Sequence, residues 1–374
     1  MRAARNPRLT KRQEQSLASA LQGQEYLTEI KFEGTPLQLI VDTGSSDTWL
    51  IESSFQCTDA NSQAVSQATC NFGPTYPGTF SAEEEIPNVN FNIGYGDGEF
   101  VTGVFGKADI EIAGITVPQQ TAALGTSAYW NGDGISSGLL GLAYPGLTSE
   151  YQGSDPNQDG TTRITYDPIF TNMYKQGLSS AMFSMAIERG TGGGYIAFGG
   201  LPPVNVTGDW ATVPIQQMTS SSTASDDSDD TDDSNAAQTD YQFYTLTPDS
   251  FEYGNAKHTV KDQYIVDSGT TLVYASTATT KAINALFKPA ATVSNGYYSV
   301  SCSATAPNIA VVLGGQAFSI SVKDLIVSDG AGGCISGVQD GGSGPYILGD
   351  VFMSNVVVAF DVGAAEMRFA AHNY

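Results

Sequence analysis

The chain has 374 residues, of which 41% are hydrophobic and only 15% are charged, and it contains 41 glycines. This length fits two domains of ordinary size, and the composition is typical of a β-rich globular protein rather than a helical bundle. The formal net charge of -23 at pH 7 disfavours nucleic acid and anionic membranes as partners.

The first twelve residues are basic, contain no acidic residue and end at the dibasic pair Lys11-Arg12. They lack the apolar core of a secretory signal peptide. We predict that residues 1–12 are the remnant of a pro-segment and that the mature chain begins near Gln13. The alternative interpretation is a disordered basic tail.

An internal repeat dominates the rest of the chain. The segment Leu39–Ser46 (LIVDTGSS) is echoed by Tyr264–Thr271 (YIVDSGTT), so that Asp42 and Asp267 lie about half a chain length apart. Each copy is a hydrophobic strand followed by a tight Asp-Thr/Ser-Gly turn. Two such copies predict two related units that share one site.

A second pair of matching segments supports the duplication. Gly138–Leu142 (GLLGL) follows the first turn, and Tyr346–Asp350 (YILGD) follows the second at a similar distance. We therefore predict two β lobes, at 13–200 and 201–374, with a cleft between them and a common sheet beneath it.

The remaining segments read mostly as short strands bounded by Gly, Pro, Asn and Asp. Phe100–Val104 and Asp109–Val117 are examples. Two segments, Pro168–Gln176 and Thr277–Phe287, have the period and composition of helices. The sequence thus predicts a mainly β fold with a few short helices.

The segment 219–240 differs in composition from everything around it. It combines Ser, Thr, Ala and Asn with seven aspartates and has almost no apolar side chains. We expect a mobile acidic surface loop. Its spacing lacks the Gly turn and the terminal Glu of a calcium loop, so no metal site is expected there.

The four cysteines form two local pairs, one in each half of the chain. Because neither pair has C-x-x-C spacing, a zinc or redox site is disfavoured, and two disulfides, Cys57–Cys70 and Cys302–Cys334, are expected. Disulfides indicate an oxidising compartment. The sequon Asn205–Thr207 is compatible with secretion.

Two carboxyl groups brought together by the repeat have a specific chemical use. At close range Asp42 and Asp267 cannot both ionise and must share a proton. One carboxyl then acts as general base on a water molecule, and the other acts as general acid. The two titrate as a unit, so the roles are not assigned to individual residues.

Taken together, these motifs resemble those of pepsin-like aspartic proteases of the fungal secreted type, over nearly the whole chain from Tyr26 to Tyr374. The resemblance implies the bilobal acid-protease fold with pseudo-twofold symmetry and a catalytic pair formed by Asp42 and Asp267. It also implies four supporting hydroxyl groups, of which Ser45 and Thr270 bond the carboxyls and Thr43 and Ser268 lock the two turns together.

The segment Ile93–Gly98 (IGYGDG) resembles the flap of these enzymes, a hairpin that closes over the substrate. The resemblance implies that Tyr95 bonds Trp49, that Gly96 lies at the tip and that Asp97 lets Lys or Arg precede the cleaved bond. The apolar pocket for the residue before the scissile bond would be lined by Ile40, Trp130 and Leu139. In a departure from the family pattern, the stretch between Gly34 and Asp42 is about three residues shorter.

We therefore expect an aspartic endopeptidase acting at acidic pH on polypeptides, with a preference for hydrophobic or aromatic residues. It would be a monomer without a cofactor, secreted or located in an acidic vacuole, and made as a zymogen. The alternative is a catalytically inactive pepsin-like binding or inhibitor protein. A serine hydrolase built on Ser136 in Gly134–Gly138, with Asp267 and His372, is disfavoured because its motif requires a following helix.

Overall fold

The structure is a computed structural model that describes residues 13–155, 162–189, 192–218, 241–294 and 296–372. Both the predicted pro-segment remnant at 1–12 and the acidic insertion at 219–240 lie outside these residues. The described chain is mainly β with four short α-helices, which confirms the predicted fold class.

The elements of the first half run in chain order from Gln13 to Phe198, with one 3₁₀ turn at Pro145–Leu147. They are β1 (Gln13–Ala20), β2 (Glu25–Phe32), β3 (Thr35–Asp42), β4 (Thr48–Cys57), α1 (Gln67–Cys70), β5 (Val89–Gly94), β6 (Phe100–Ile112), β7 (Ile115–Tyr129), β8 (Gly138–Gly141), β9 (Glu150–Gln152), β10 (Arg163–Ile164), α2 (Ile169–Lys175), β11 (Met182–Glu188) and β12 (Gly193–Phe198).

The second half consists of many shorter strands. They are β13 (Val206–Pro214), β14 (Thr245–Leu246), β15 (Ser250–Tyr253), β16 (Ala256–Thr259), β17 (Tyr264–Val266), β18 (Val273–Ala275), α3 (Thr277–Asn284), β19 (Thr292–Ser294), β20 (Tyr297–Val300), β21 (Ile309–Leu313), β22 (Gln316–Ile320), β23 (Ile326–Ser328), β24 (Cys334–Ser336), β25 (Val338–Asp340), β26 (Tyr346–Leu348), α4 (Asp350–Met353), β27 (Val356–Asp361) and β28 (Glu366–His372).

One large sheet joins the two halves. Its strand order is β10-β9-β5-β6-β7-β4-β8-β3-β2-β1-β12-β11-β27-β28-β13. The halves meet where β11 pairs antiparallel with β27, from Met182 opposite Asp361 to Ala186 opposite Val357. Both strands are buried along nearly their whole length, so the predicted common sheet is also a continuous part of the hydrophobic core.

The same strand arrangement occurs once in each half, around the repeated motifs. In the first half β8 runs parallel to β3, with Asp42 opposite Gly141, and antiparallel to β4. In the second half β26 runs parallel to β17 and antiparallel to β18. Each hydrophobic-hydrophobic-Gly segment therefore lies beside the strand that ends at an Asp turn, which explains why both motifs are duplicated.

Local signals account for the helices but misplace one strand. The helix predicted at Pro168–Gln176 forms as α2, and α3 begins after Ser276, whose hydroxyl caps it. The predicted strand Asp109–Val117 is wrong, because β6 ends at Ile112 and β7 begins at Ile115. Between them Ala113 and Gly114 adopt positive φ values of 51° and 74°, which make a tight hairpin turn.

Both expected disulfides are present, Cys57–Cys70 and Cys302–Cys334, each within one half of the chain. The first closes the loop that carries α1 and places Phe72 against the aromatic cluster of the first half. Among the described residues, none of the helices has the length and apolar character needed to cross a membrane.

Candidate active site

The two repeated aspartates meet at the centre of the molecule. Asp42 is the last residue of β3 and Asp267 directly follows β17, and their exposed fractions are 5% and 8%. The carboxyl of Asp267 is close enough to that of Asp42 to raise its pKa. The pseudo-twofold arrangement of the strands thus brings together two residues that are far apart in sequence.

Each carboxyl is held by its own turn through the same two bonds. Gly44 N donates to Asp42 Oδ1 over 2.7 Å, and the Ser45 hydroxyl donates to Asp42 Oδ2. In the second half, Gly269 N donates to Asp267 Oδ1 over 2.8 Å and Thr270 Oγ1 to Asp267 Oδ2 over 2.7 Å. These bonds fix the orientation of both side chains.

The hydroxyls of Thr43 and Ser268 connect the two turns across the pseudo-twofold axis. Thr43 Oγ1 donates to Val266 O over 3.0 Å, and Ser268 Oγ donates to Val41 O over 2.8 Å. Thr43 N donates to Ser268 Oγ and Ser268 N to Thr43 Oγ1, over 3.2 and 3.0 Å. Because both residues are buried, this four-bond connection fixes the separation of the two carboxyls.

The glycine of each turn packs against the opposite carboxyl. A Cβ atom added to Gly44 would lie 2.6 Å from the carboxyl atoms of Asp267, and one added to Gly269 would lie 2.3 Å from Asp42 Oδ1. Both distances are far below a normal van der Waals contact. Only glycine therefore allows the two turns to approach this closely.

The environment favours a proton on the pair. Burial is the main factor that raises the pKa of Asp42, and the neighbouring Asp267 carboxyl raises it further, against the opposing bonds from Ser45 and Gly44. Both effects favour the protonated form of the Asp42 carboxyl.

Helix α4 lies directly behind the second turn. Asp350 N donates to Thr270 O and Val351 N donates to Thr271 O, both over 2.9 Å. Burial, followed by the nearby charge of Asp267, raises the pKa of Asp350 well above its ordinary value. Neither carboxyl oxygen of Asp350 makes a hydrogen bond among the described residues.

The flap is a hairpin formed by β5 and β6. Its turn is closed by bonds from Tyr95 N to Glu99 O and from Gly98 N to Tyr95 O, with Gly96 and Asp97 exposed at the tip. Trp49 Nε1 donates to Tyr95 Oη over 2.7 Å, as the family resemblance implied.

An aromatic cluster lies beneath the flap. The ring centroid of Trp130 is 5.3 Å from that of Trp49 and 5.5 Å from that of Tyr95. Ile40 and Leu139, opposite each other on β3 and β8, belong to the same buried cluster. The structure therefore brings all predicted pocket residues together on one side of Asp42.

Phe72 also belongs to this cluster and was not predicted from the sequence. The ring of Phe72 stacks on Trp130 with centroids 5.7 Å apart and an angle of 10° between the planes. It lies two residues after Cys70, so the disulfide Cys57–Cys70 holds it in place. An apolar residue next to a disulfide in an otherwise polar loop was the signal available in the sequence.

Four acidic side chains form a group, here called the rim carboxyl cluster, of which the sequence had indicated only Asp97. It consists of Glu25 on β2, Asp97 and Glu99 on the flap, and Asp133 on the loop between β7 and β8. Burial, then contact with Asp133, raises the pKa of Glu25 to about 8. Burial raises that of Glu99 to about 7, although bonds from the Asn131 N and Nδ2 atoms oppose the shift.

The competing motifs do not form the sites that they would need. Gly134–Gly138 leads into strand β8 instead of a helix, and the hydroxyl of Ser136 donates to Asp133 Oδ1. The segment Gly192–Ala197, whose G-x-G-x-x-A spacing is also that of a nucleotide-binding loop, leads into strand β12, again without a helix. Neither segment has the strand-turn-helix geometry of a nucleophile elbow or a nucleotide-binding loop.

Comparisons with known proteins agree on one family. The model of the family described as "Eukaryotic aspartyl protease" matches residues 25–372. A "Probable aspartic-type endopeptidase" of Aspergillus fumigatus is 39% identical over 374 residues, which cover 95% of this chain and 80% of that protein. An "Acid protease" of Saccharomycopsis fibuligera is 30% identical over 359 residues, covering 93% of this chain and 81% of the other.

A solved structure shows the same fold. The crystal structure of the aspartic proteinase from Irpex lacteus superposes with a TM-score of 0.70, covering 96% of this chain and 98% of the other, at 18% sequence identity. The bilobal arrangement described above is therefore shared with a known proteinase fold.

Proposed function

The chain belongs to the eukaryotic aspartyl protease family and is an aspartic-type endopeptidase, and on this premise we propose that Asp42 and Asp267 together activate the water that cleaves the peptide bond. The observation that carries the proposal is the reciprocal geometry of the turns. Each carboxyl receives two matching bonds from its own turn and packs against the glycine of the other.

The proposed reaction uses the single proton held by the pair. The ionised carboxyl takes a proton from a water molecule while the oxygen of that water attacks the peptide carbonyl carbon. The protonated carboxyl gives its proton to the carbonyl oxygen, which forms a tetrahedral intermediate. As the carbon–nitrogen bond breaks, the carboxyl that took the water's proton gives it to the leaving nitrogen. The other carboxyl takes a proton from a hydroxyl group of the intermediate, which leaves the carboxylic acid product and restores the starting state of the pair. The chemistry requires no cofactor.

We propose that the substrate lies extended between the lobes at 13–200 and 201–374 and that the flap closes over it. The aromatic cluster would then form an apolar pocket for the residue before the scissile bond. In this arrangement the bond between Trp49 and Tyr95 holds the flap tyrosine as one wall of that pocket.

The carboxyl of Asp97 gives the pocket a second specificity. It is exposed on the flap beside the pocket, and its Oδ1 accepts a bond from Glu99 N over 3.0 Å. Because Asn can accept the same bond, Asp97→Asn should remove the charge and keep the turn. We expect kcat/KM to fall about 5-fold for peptides with Lys before the scissile bond, as for the loss of one exposed ion pair.

The matched substrate for this comparison has Phe in place of Lys. Its kcat/KM should be unchanged in Asp97→Asn, and both peptides should be measured at the same pH. Equal losses for the Lys and the Phe peptide would contradict a charge effect and would indicate that the flap had moved.

Gly44 offers a test of the close approach of the two turns. In Gly44→Ala the new methyl group would have to displace the Asp267 carboxyl by roughly 1 Å, and a displacement of this size costs about 10²-fold in rate. We therefore expect a chain that is folded by circular dichroism at pH 4 but has a kcat lowered by at least this factor. Full activity would show that the carboxyls are not positioned by this contact.

The proposed function is tested by the rate of peptide cleavage between pH 3 and 5, with and without a statine-containing peptide. The hydroxyl of statine mimics the tetrahedral intermediate and binds tightly only to a working pair. Cleavage that the inhibitor abolishes would support the proposal. A folded, processed chain that shows no inhibitable cleavage anywhere in this pH range would instead support the inactive binding-protein alternative.

We further propose that the enzyme reaches the extracellular space or an acidic vacuole through the secretory pathway. The two disulfides and the names of the fungal relatives support this assignment. Its substrates would be polypeptides and its active form a monomer. Cleavage after Arg12 would release the mature chain from a zymogen.

A further inference from the structure

Asn205-Val206-Thr207 is the one sequence in the chain that has the form Asn-x-Ser/Thr with x other than Pro. This is the acceptor sequence for N-linked glycans. The structure places it at the start of β13, and all three residues are exposed. Accessibility, the first requirement for a modification site, is therefore met.

Strand β13 lies at the end of the large sheet. It pairs with β28 on one side, from Val206 opposite His372 to Pro214 opposite Glu366. On its other side, no strand of the described part of the chain pairs with it. Such an edge presents unpaired backbone groups to other molecules, and natural proteins generally cover or interrupt it.

Only the beginning of this edge is open. A Cβ atom added to Gly208 would meet nothing within 4 Å, whereas one added to Gly314 would lie 3.0 Å from Thr212 O. The turn between β21 and β22 therefore packs against the later part of β13. The open part coincides with the sequon.

Exposed apolar side chains flank the acceptor asparagine on both sides in sequence. Leu201 and Val206 are each 38% exposed, which is unusual for large apolar residues in this chain. Apolar side chains on an unpaired edge favour association between molecules. A large hydrated group attached between them would prevent such contacts.

We propose that Asn205 carries an N-linked glycan that covers the open edge of β13. In the transfer, Asn205 Nδ2 forms a bond to the anomeric carbon of an oligosaccharide donated by a lipid pyrophosphate. The bond from that carbon to the pyrophosphate oxygen breaks, the lipid pyrophosphate leaves, and a base of the transferase takes the amide proton. In the folded chain Thr207 Oγ1 donates to Ala371 O over 3.2 Å, so transfer precedes the pairing of β13 with β28.

The site is tested by secreting the full chain from a yeast with a supplied signal sequence and measuring its mass before and after treatment with peptide N-glycosidase. Wild type and Thr207→Ser, which keeps the acceptor sequence, should lose mass on treatment. Asn205→Gln and Thr207→Val, which destroy it, should not change. A secreted wild-type chain with unmodified Asn205 would overturn the proposal.

The covering role is tested separately by sedimentation of wild type and Asn205→Gln at equal concentration and pH. We expect the variant to self-associate and the wild type to remain monomeric. An equally monomeric variant would show that the glycan does not protect the edge. Peptide cleavage per folded molecule should be the same in both, so a failure of the proposed catalytic function would appear in wild type and variant alike.

Discussion

Asp42→Asn and Asp267→Asn should each lower kcat by about 10²- to 10⁴-fold, because each removes one member of a pair that transfers protons in the reaction. Asparagine has nearly the same shape as aspartate, and its carbonyl oxygen can still accept the bond from Gly44 N or Gly269 N. The fold should therefore persist while the shared proton is lost. Cleavage of a chromogenic peptide at pH 4 gives the rates.

The kcat of the double variant should be no lower than that of the less active single variant, since residues that act as a unit give non-additive losses of activity. Asp209→Asn, an exposed carboxyl on β13, is the matched control and should keep wild-type kcat. Activity within about 10-fold of wild type in either single variant would contradict the paired mechanism, because one proton-transfer group alone contributes more than that.

Glu25→Gln should stabilise the folded chain at pH 7 and have little effect at pH 4. The carboxyl of Glu25 has a pKa of about 8 in the folded protein, against an ordinary value of 4.5. Between these values the folded state binds more protons than the unfolded state, so the free energy of unfolding falls as the pH rises through this window. Glutamine removes that dependence and keeps a donor toward Asp133.

The free energy of unfolding should increase in Glu25→Gln by on the order of 2–3 kcal/mol at pH 7. This value follows from the part of the range between the two pKa values of Glu25 that lies below pH 7. Urea unfolding at pH 4 and pH 7 measures it. Glu29→Gln, on the exposed face of the same strand, is the control and should change stability equally at both pH values. A gain for Glu25→Gln that is the same at pH 4 and pH 7 would contradict the titration of this group.

The carboxyl of Glu99, on the flap, should also lower the free energy of unfolding as the pH rises. The pKa of Glu99 is about 7, and its Oε1 accepts two bonds from Asn131, next to Trp130 of the pocket. As the pH rises toward 7 and 8, Glu99 and Glu25 lose their protons close to each other. Loss of stability near neutral pH should therefore begin where the flap contacts the loop that carries Asn131.

The duplicated motifs were sufficient to find the candidate pair, and the family resemblance added the roles of its supporting hydroxyls. A hydrophobic strand, a tight turn with Gly and a hydroxyl at a fixed offset are all local, so the geometry of each turn follows from its own sequence. The second duplicated motif also predicted that the chain has two similar halves. The comparison of GLLGL with YILGD contained a further signal, since Asp350 occupies the position that Leu142 has in the first half.

The hairpin between β6 and β7 was missed for an equally local reason. Alternation of apolar residues continues on both sides of Ala113 and Gly114, and a two-residue turn of Ala and Gly lacks the usual Asn or Asp signal. The predicted strand therefore ran straight through the turn. Periodicity alone does not distinguish one long strand from two strands that share a pattern.

The sequence by itself determined the strand-rich composition, the two Asp turns, the local disulfides and the net acidity of this protein, because each depends on residues that are close in sequence or on a simple count. Only the tertiary structure decided which carboxyls of the rim carboxyl cluster face each other. Glu25, Glu99 and Asp133 come from three separate segments, and the raised pKa values of Glu25 and Glu99 arise from burial and from neighbouring carboxyl groups that no local pattern contains. Contact between segments distant in the chain depends on the packing of the whole fold.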